Sequence, residues 1–328
     1  MKPSIKTIAE QAGVSKTTVS FVLNGRGDEK NISAETQKRI FDIAKHLNYQ
    51  PNQLARSLSM GRSFTIGFIV PDISNPFFGK IARLVERFAE EKGYSVMVAS
   101  TDESARKEQQ VLETFRNRQI DGVIIAPVSE LAVEGNTTNM PMVSFDRIFQ
   151  QQTDSFVDID NKATAKILCE QLIQKEHRSI GLLSLTSYLP NIKSRIEGYK
   201  EALAAHAIDY DENLVIEIDA KHKKDSVQAA LKKLLNGSNP VSAVLFLNNV
   251  IAAEGIWTIN KYYPQLINQL QFACFDNLDV FDYALPKTTS ALQPGEAIAQ
   301  NCVHMLFNQI ENKMLSKGLC LSTKIIER

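Results

Sequence analysis

Between positions 4 and 24 the apolar side chains fall at Ile5, Ile8, Ala9 and Ala12, break at Gly13, and resume at Val14, Val19, Val22 and Leu23. That spacing predicts two short amphipathic helices joined by a tight glycine turn. Ser15 stands where the second helix needs an N-cap hydroxyl, and Val14 and Val19 then occupy the two positions of a hydrophobic staple. A third helix is expected after its own cap, Ser33, burying Ile40, Ile43, Ala44 and Leu47 at i, i+3, i+4 and i+7, and stopping before Pro51. Residues 51–63 hold Leu54, Ala55 and Leu58, at most two helical turns before Gly61. A helix that short is marginal alone in water and makes sense if it folds only on a partner.

From residue 64 the texture changes. Apolar runs of strand length near 65–70, 95–99, 122–126 and 142–145 alternate with amphipathic stretches near 77–91 and 105–117. The rhythm resumes with strands near 180–184, 214–218, 243–247 and 271–275 and helices near 193–205, 224–235 and 252–262; a last strand is expected at 321–326. Repeated βαβ units imply parallel sheets covered on both faces. Two sets imply two lobes with a cleft lined by loops at the strands' carboxyl ends. The expected organisation is an all-α helix-turn-helix head at 1–50, a hinge helix and linker at 51–63, and an α/β core of two parallel-sheet lobes at 64–328. Within the core the first lobe takes 64–161 and 292–328, and the second 162–291.

Charge sharpens this division. The chain of 328 residues carries 37 Lys/Arg and 37 Asp/Glu, yet residues 1–60 hold four more cationic than anionic side chains. A basic head on an acidic body suits nucleic acid at one end only. Cys169, Cys274, Cys302 and Cys320 form no CxxC pair and lie in apolar stretches, so they read as buried free thiols of a reducing compartment. No apolar run at the N-terminus has signal-peptide length and no window approaches ~18 apolar residues, so a cytoplasmic protein with no membrane partner is expected. Walker, HExxH and GxSxG motifs are absent, and His46, His177, His206, His222 and His304 have no metal spacing. Neither enzyme chemistry, a metal nor a cofactor is expected.

In the head, burying Val19, Val22 and Leu23 turns Lys16, Thr17, Ser20 and Phe21 outward. Set in a major groove, the start of that helix meets base edges, while hydroxyls, Lys6 and amides near the cap meet phosphate. A purely structural hairpin would share the pattern; the basic surplus and the under-length helix argue for DNA.

AEQAGVSKTTVSFVLNG at 9–25, YQPNQLARSL at 49–58, IGFIVPDISNPFF at 66–78 and QIDGVIIAP at 119–127 follow one another in order. SFDR at 144–147, SRIEGY at 194–199, FDN at 275–277 and TSALQP at 289–294 come after them. In this the chain resembles the LacI/GalR family of bacterial transcription repressors over its whole length. NGRGDEKNIS at 24–33 and STDES at 100–104 look like its sucrose- and fructose-responsive members. The resemblance implies that Lys16, Thr17 and Phe21 read bases and Ser15 and Ser20 hold phosphate, with Lys6, Thr18 and Asn24 in the same DNA-facing set. In the hinge it implies DNA contacts at Asn52, Ala55, Arg56 and Leu58, the leucine wedging into the minor groove. For the cleft it implies effector contacts at Phe77, Phe78, Asp146, Arg147, Arg195, Asn249, Asp276 and Gln293. Hydroxyls donate to carboxylates and accept from arginines, and two arginines suit a phosphorylated sugar as well. Without a ligand, Arg195 and Asp276 would serve as an ion pair between lobes, and Phe77 and Phe78 as core. Val250 replaces an aspartate common in the family, and Lys221 and His222 stand where an aromatic is expected. The implied function is repression of sugar-utilisation genes by a homodimer on a palindromic operator, released by a sugar or sugar phosphate. A non-sugar effector or a phosphoprotein corepressor is the alternative; a sugar-binding transport protein is disfavoured by the head and the missing secretion signal. Dimerisation would use the face of the 77–91 helix bearing Ile81, Leu84, Val85 and Phe88.

Overall fold

The computed structural model describes residues 3–49, 60–128, 140–148, 155–185, 189–237, 240–311 and 317–328. The chain divides into two compact units, Met1–Ser63 and Phe64–Arg328. In the first, α1 (Ile5–Ala12), α2 (Lys16–Leu23) and α3 (Ala34–His46) each begin at a serine whose hydroxyl accepts the N–H of a threonine three residues on: Ser4 from Thr7, Ser15 from Thr18, Ser33 from Thr36. Repeating one capping pattern three times satisfies helix-start amides that lack an intrahelical partner. Gly13 closes α1 at φ 65°, a left-handed conformation in which a Cβ is strained. Ile8, Val19, Val22 and Ile40 are fully buried, while Ile43 and Leu47 pack only at the margin of this small core.

The second unit contains two six-stranded sheets. Its first lobe runs β1 (Thr65–Val70), α4 (Pro76–Glu90), β2 (Ser95–Ser100), α5 (Ala105–Asn117), β3 (Gly122–Ile125), β4 (Met142–Phe145) and β5 (Phe156–Ile159). The second runs α6 (Asn161–Gln174), β6 (Ile180–Ser184), α7 (Pro190–Ala205), β7 (Val215–Glu217) and α8 (Lys223–Leu235). It continues through β8 (Ala243–Phe246), α9 (Asn249–Tyr262), β9 (Gln271–Phe275) and β10 (Thr288–Leu292). The chain ends with α10 (Gly295–Ile310), β11 (Leu319–Leu321) and β12 (Lys324–Ile326). The sheet orders are β11-β5-β4-β3-β1-β2 and β12-β10-β9-β8-β6-β7, all neighbours parallel except β10 and β12.

The expected strand at 321–326 is thus two strands in two different sheets, and residues 292–328 serve both lobes rather than the first alone. The chain passes between lobes after β5, after β10 and after β11, where Thr164 and Thr323 join hydroxyls at 2.9 Å. Helices α6 and α10 were not visible as amphipathic patterns. Each packs on a neighbouring helix as well as on a sheet, α6 on α7 and α10 on α4, so apolar residues occupy more than one face and the 3.6-residue period fades.

Two expectations need correction. Ile81 and Val85 are buried in their own lobe, with Leu84 and Phe88 half-buried beside them, so that face of α4 is spent within the chain and cannot be a dimer face as a whole. Cys320 is exposed, unlike the three other cysteines, because β11 is an edge strand whose alternation turns it outward. Among the described residues no helix is long and apolar enough to cross a membrane.

Candidate functional site

On the head, Lys16 and Thr17 are exposed at the start of α2, with Ser20 and Phe21 half-buried one turn on. Lys6 is exposed on α1, its Nζ 3.8 Å from Glu10. Ser15 and Thr18 face each other through their hydroxyls at 2.9 Å, and Asn24 turns its Nδ2 back to the Ser20 carbonyl at 2.8 Å. Thr18 and Asn24 therefore close the two ends of α2. Arg26 and Lys30, absent from the expected set, lie 5.7 and 5.4 Å from the Phe21 ring centroid. The hinge positions Asn52, Ala55, Arg56 and Leu58 lie outside the described residues.

In the core, a cavity of ≈ 370 Å³ opens at the carboxyl ends of the strands of both lobes. Asp72 follows β1, Asp102 and Glu103 follow β2, Asp146 and Arg147 follow β4; from the other lobe come Lys221 after β7, Asn248 after β8 and Asp276 after β9. Asp146 and Asp276 take positive φ, 60° and 73°, which turns each chain sharply out of its strand. Of the residues named for effector contact, Phe77, Phe78, Asp146, Arg147, Arg195 and Asp276 line this cavity.

Asn249 and Gln293 do not. Asn249 is wholly buried at the start of α9 and donates Nδ2 to Asn75 Oδ1 at 3.0 Å, an amide bridge between the lobes. The same Asn75 oxygen accepts the Phe77 N–H and caps α4, which draws the α9 start onto the α4 start. Gln293 stands behind the cavity wall and donates Nε2 to Asp276 Oδ1 at 2.6 Å.

Arg195 is 3% exposed. Its Nε donates to Asn161 Oδ1 and Nη1 to the Leu247 carbonyl, both at 2.8 Å; Nη2 lies 3.8 Å from Asp146 Oδ1, and the guanidinium sits 3.5 Å from the Phe275 ring centroid. Burial lowers its pKa, opposed by the charges of Asp276, Asp146 and Asp158. Burial also pushes the Asp276 carboxyl up to about 6, against Arg195 and the Gln293 hydrogen bond, and raises Asp146 against Arg195 and Arg147. Buried carboxyls beside a buried guanidinium and two phenylalanine rings can accept hydroxyl protons, donate to ring oxygens and cover an apolar sugar face. Asp72, Asn75, Asp102, Glu103 and Asn191 were missed by the sequence reading; for the acids, their place at strand ends was the available signal.

The family description of bacterial regulatory proteins, lacI family, matches residues 4–52, and that of a periplasmic binding protein domain matches residues 66–313. This chain belongs to the LacI family. The family member is 31% identical over 312 residues to the ribose operon repressor of Halalkalibacterium halodurans, covering 95% of this chain and 92% of that protein. Its structure is similar to the lac repressor dimer bound to operator and the anti-inducer ONPF, with TM-score 0.85 over 100% of this chain and 98% of that one, at 21% identity. It is also similar to a periplasmic binding protein/LacI transcriptional regulator from Alkaliphilus metalliredigens complexed with D-xylulofuranose. There the identity is 25% and the TM-score 0.71, over 80% of this chain and 97% of that one. As a member of the LacI family it is a DNA-binding transcriptional regulator rather than an enzyme. The likeness to a ribose operon repressor lends no support to placing it among the sucrose- and fructose-responsive members.

Proposed function

We propose that this repressor binds a roughly palindromic operator as a homodimer and releases it when a sugar occupies the cleft between its lobes. One observation carries the effector half of this reading: Asp146, Asp276 and Arg195 converge with Phe77 and Phe78 on one cavity at the strand ends. Its ≈ 370 Å³ falls within the range of small-ligand sites. The ribose repressor relative and the xylulofuranose-bound neighbour favour a pentose or ketose, with fructose and sucrose as the competing effectors. On the DNA side, Lys16, Thr17 and Phe21 are the proposed base readers, and Lys6, Ser15 and Ser20 the phosphate contacts. Head, hinge and core take residues 1–50, 51–63 and 64–328 in this proposal. Leu58→Ala is expected to weaken operator binding with effector affinity intact.

The test is thermal unfolding of the full chain against D-ribose, D-xylulose, D-fructose and sucrose. A sugar that binds only the folded state at 100 times its Kd adds about 2.7 kcal/mol of stability and a measurable rise in Tm. A rise that Asp146→Asn abolishes supports the cleft; no rise with any sugar contradicts the effector class.

A further inference from the structure

Among the described residues five carboxylates and four cationic side chains line the cleft. How those cations are engaged decides which charge the cleft offers a ligand. Arg195 commits Nε and Nη1 to protein oxygens and stacks on Phe275. Arg147 is held by Glu103 in a two-pronged pair, Nη1 to Oε2 at 2.7 Å and Nη2 to Oε1 at 2.8 Å, with only 11% of the arginine side chain exposed. That fork is the geometry a phosphate would otherwise take from an arginine.

Glu103 is fixed in place to do this. Asp102 and Glu103 both take positive φ, 52° and 54°, the Asp102 N–H donates to the Pro71 carbonyl at 2.8 Å, and the Asp102 carboxylate pairs with Lys107. The turn after β2 thus points one carboxylate at solvent-side Lys107 and the next at Arg147.

We infer that Glu103 is a charge-selecting residue: by filling the Arg147 fork it reserves the cleft for uncharged polyhydroxyl effectors and excludes phosphorylated ones. This rests on the cleft being the effector site. A phosphate entering there must displace Glu103 from the Arg147 fork and give up that two-pronged charge-assisted pair, or lie uncompensated near the buried Asp146 and Asp276. Lys221 and Lys223 approach from the other lobe; Lys221 is exposed, where solvent and salt screen its charge. The hydroxyls of a neutral sugar meet no such barrier and donate to the same acids.

The experiment is calorimetric titration of the full chain with inorganic phosphate and with two matched pairs, D-ribose and ribose 5-phosphate, D-fructose and fructose 6-phosphate. Glu103→Gln keeps the side-chain size and one acceptor while removing the charge. It is expected to raise affinity for phosphate and for the esters at least ten-fold, and adding Arg147→Met is expected to remove that gain, which separates the cleft from anion binding on the basic head. A wild-type protein that takes an ester as tightly as its parent sugar overturns the inference and makes the Lys221 and Lys223 side the anion subsite. A folded Glu103→Gln protein with unchanged phosphate affinity overturns it as well. The phosphate arm needs no sugar, so a panel in which no neutral sugar binds counts against the effector reading alone while this arm still decides the role of Glu103.

Discussion

Strands β4 and β9 end alike and are wired differently. Each runs through a fully buried phenylalanine, Phe145 or Phe275, into an aspartate of positive φ, Asp146 or Asp276, whose carboxylate reaches the cleft. After β4, the next residue is Arg147, which pairs with Glu103, and Asp146 faces Arg195 of the opposite lobe at 3.8 Å. After β9, Asp276 is held from behind by Gln293, and Asn277 accepts from the Ser290 hydroxyl and Arg328 at 2.7 and 2.9 Å. The strand end delivers the carboxylate in both lobes; the residues behind it decide whether it stays a fixed wall or takes part in the contact between lobes. Asp276 belongs to the wall, Asp146 to the contact between the lobes.

The largest expected effect comes from removing the group both acids share. Arg195→Ala leaves Asp276 buried without its cation and Asp146 with Arg147 alone, and should cost about 3–5 kcal/mol, read as a fall in Tm or in the urea midpoint. A loss under about 1 kcal/mol would mean the acids do not depend on Arg195. Next are the acids themselves. Asp146→Asn and Asp276→Asn each remove a charged acceptor, worth roughly 10- to 100-fold in sugar affinity. Only Asp146→Asn should also shift the lobe equilibrium, seen as a changed small-angle scattering profile without ligand; equal behaviour of the two variants would erase the distinction drawn above.

A smaller effect follows from titration. The folded pKa of Asp276, about 6, lies above its ordinary 3.8, so the native state holds this proton more tightly than the unfolded chain. Stability therefore falls as pH rises from about 4 to about 6, and the Asp276→Asn variant should show a shallower slope across that window in urea melts. Asp158, also raised to about 6 by burial, contributes in the same direction and leaves a residual slope in the variant. The smallest effect concerns the rim, where Lys80 and Asp279 pair between lobes at 3.2 Å with both side chains exposed. Lys80→Ala should change stability by less than about 1 kcal/mol, a ceiling that a double-mutant cycle with Asp279→Ala would check.

Local signals were legible in the sequence, and contacts between distant segments were not. Ser15 and Ser33 announce their helices because a cap acts within three residues, and eight of the nine expected strands stand within a few residues of single observed ones because apolar runs are local. The aspartates of SFDR and FDN were placed in the cleft by the family resemblance that those motifs carry, and their positions just after β4 and β9 agree with it. Asn249 and Gln293 could not be told from their lining neighbours, since what removes them from the cavity is Asn75, 174 positions away, and Asp276, 17 positions away. Glu103 was passed over for a similar reason: its importance lies in Arg147, 44 residues on. Strands β11 and β12 read as one, because three residues each are too short for periodicity and their division depends on two different sheets.

The central claim is that a sugar in the cleft and operator on the head oppose each other. Operator DNA selected from a random library by the full chain, labelled and titrated with protein at fixed salt, measures this by fluorescence anisotropy with and without a saturating sugar that raises the Tm. The account predicts that operator affinity falls by some factor with sugar, and that sugar affinity falls by the same factor with operator, since coupling is reciprocal. A sugar that binds the cleft and leaves operator affinity unchanged would contradict it.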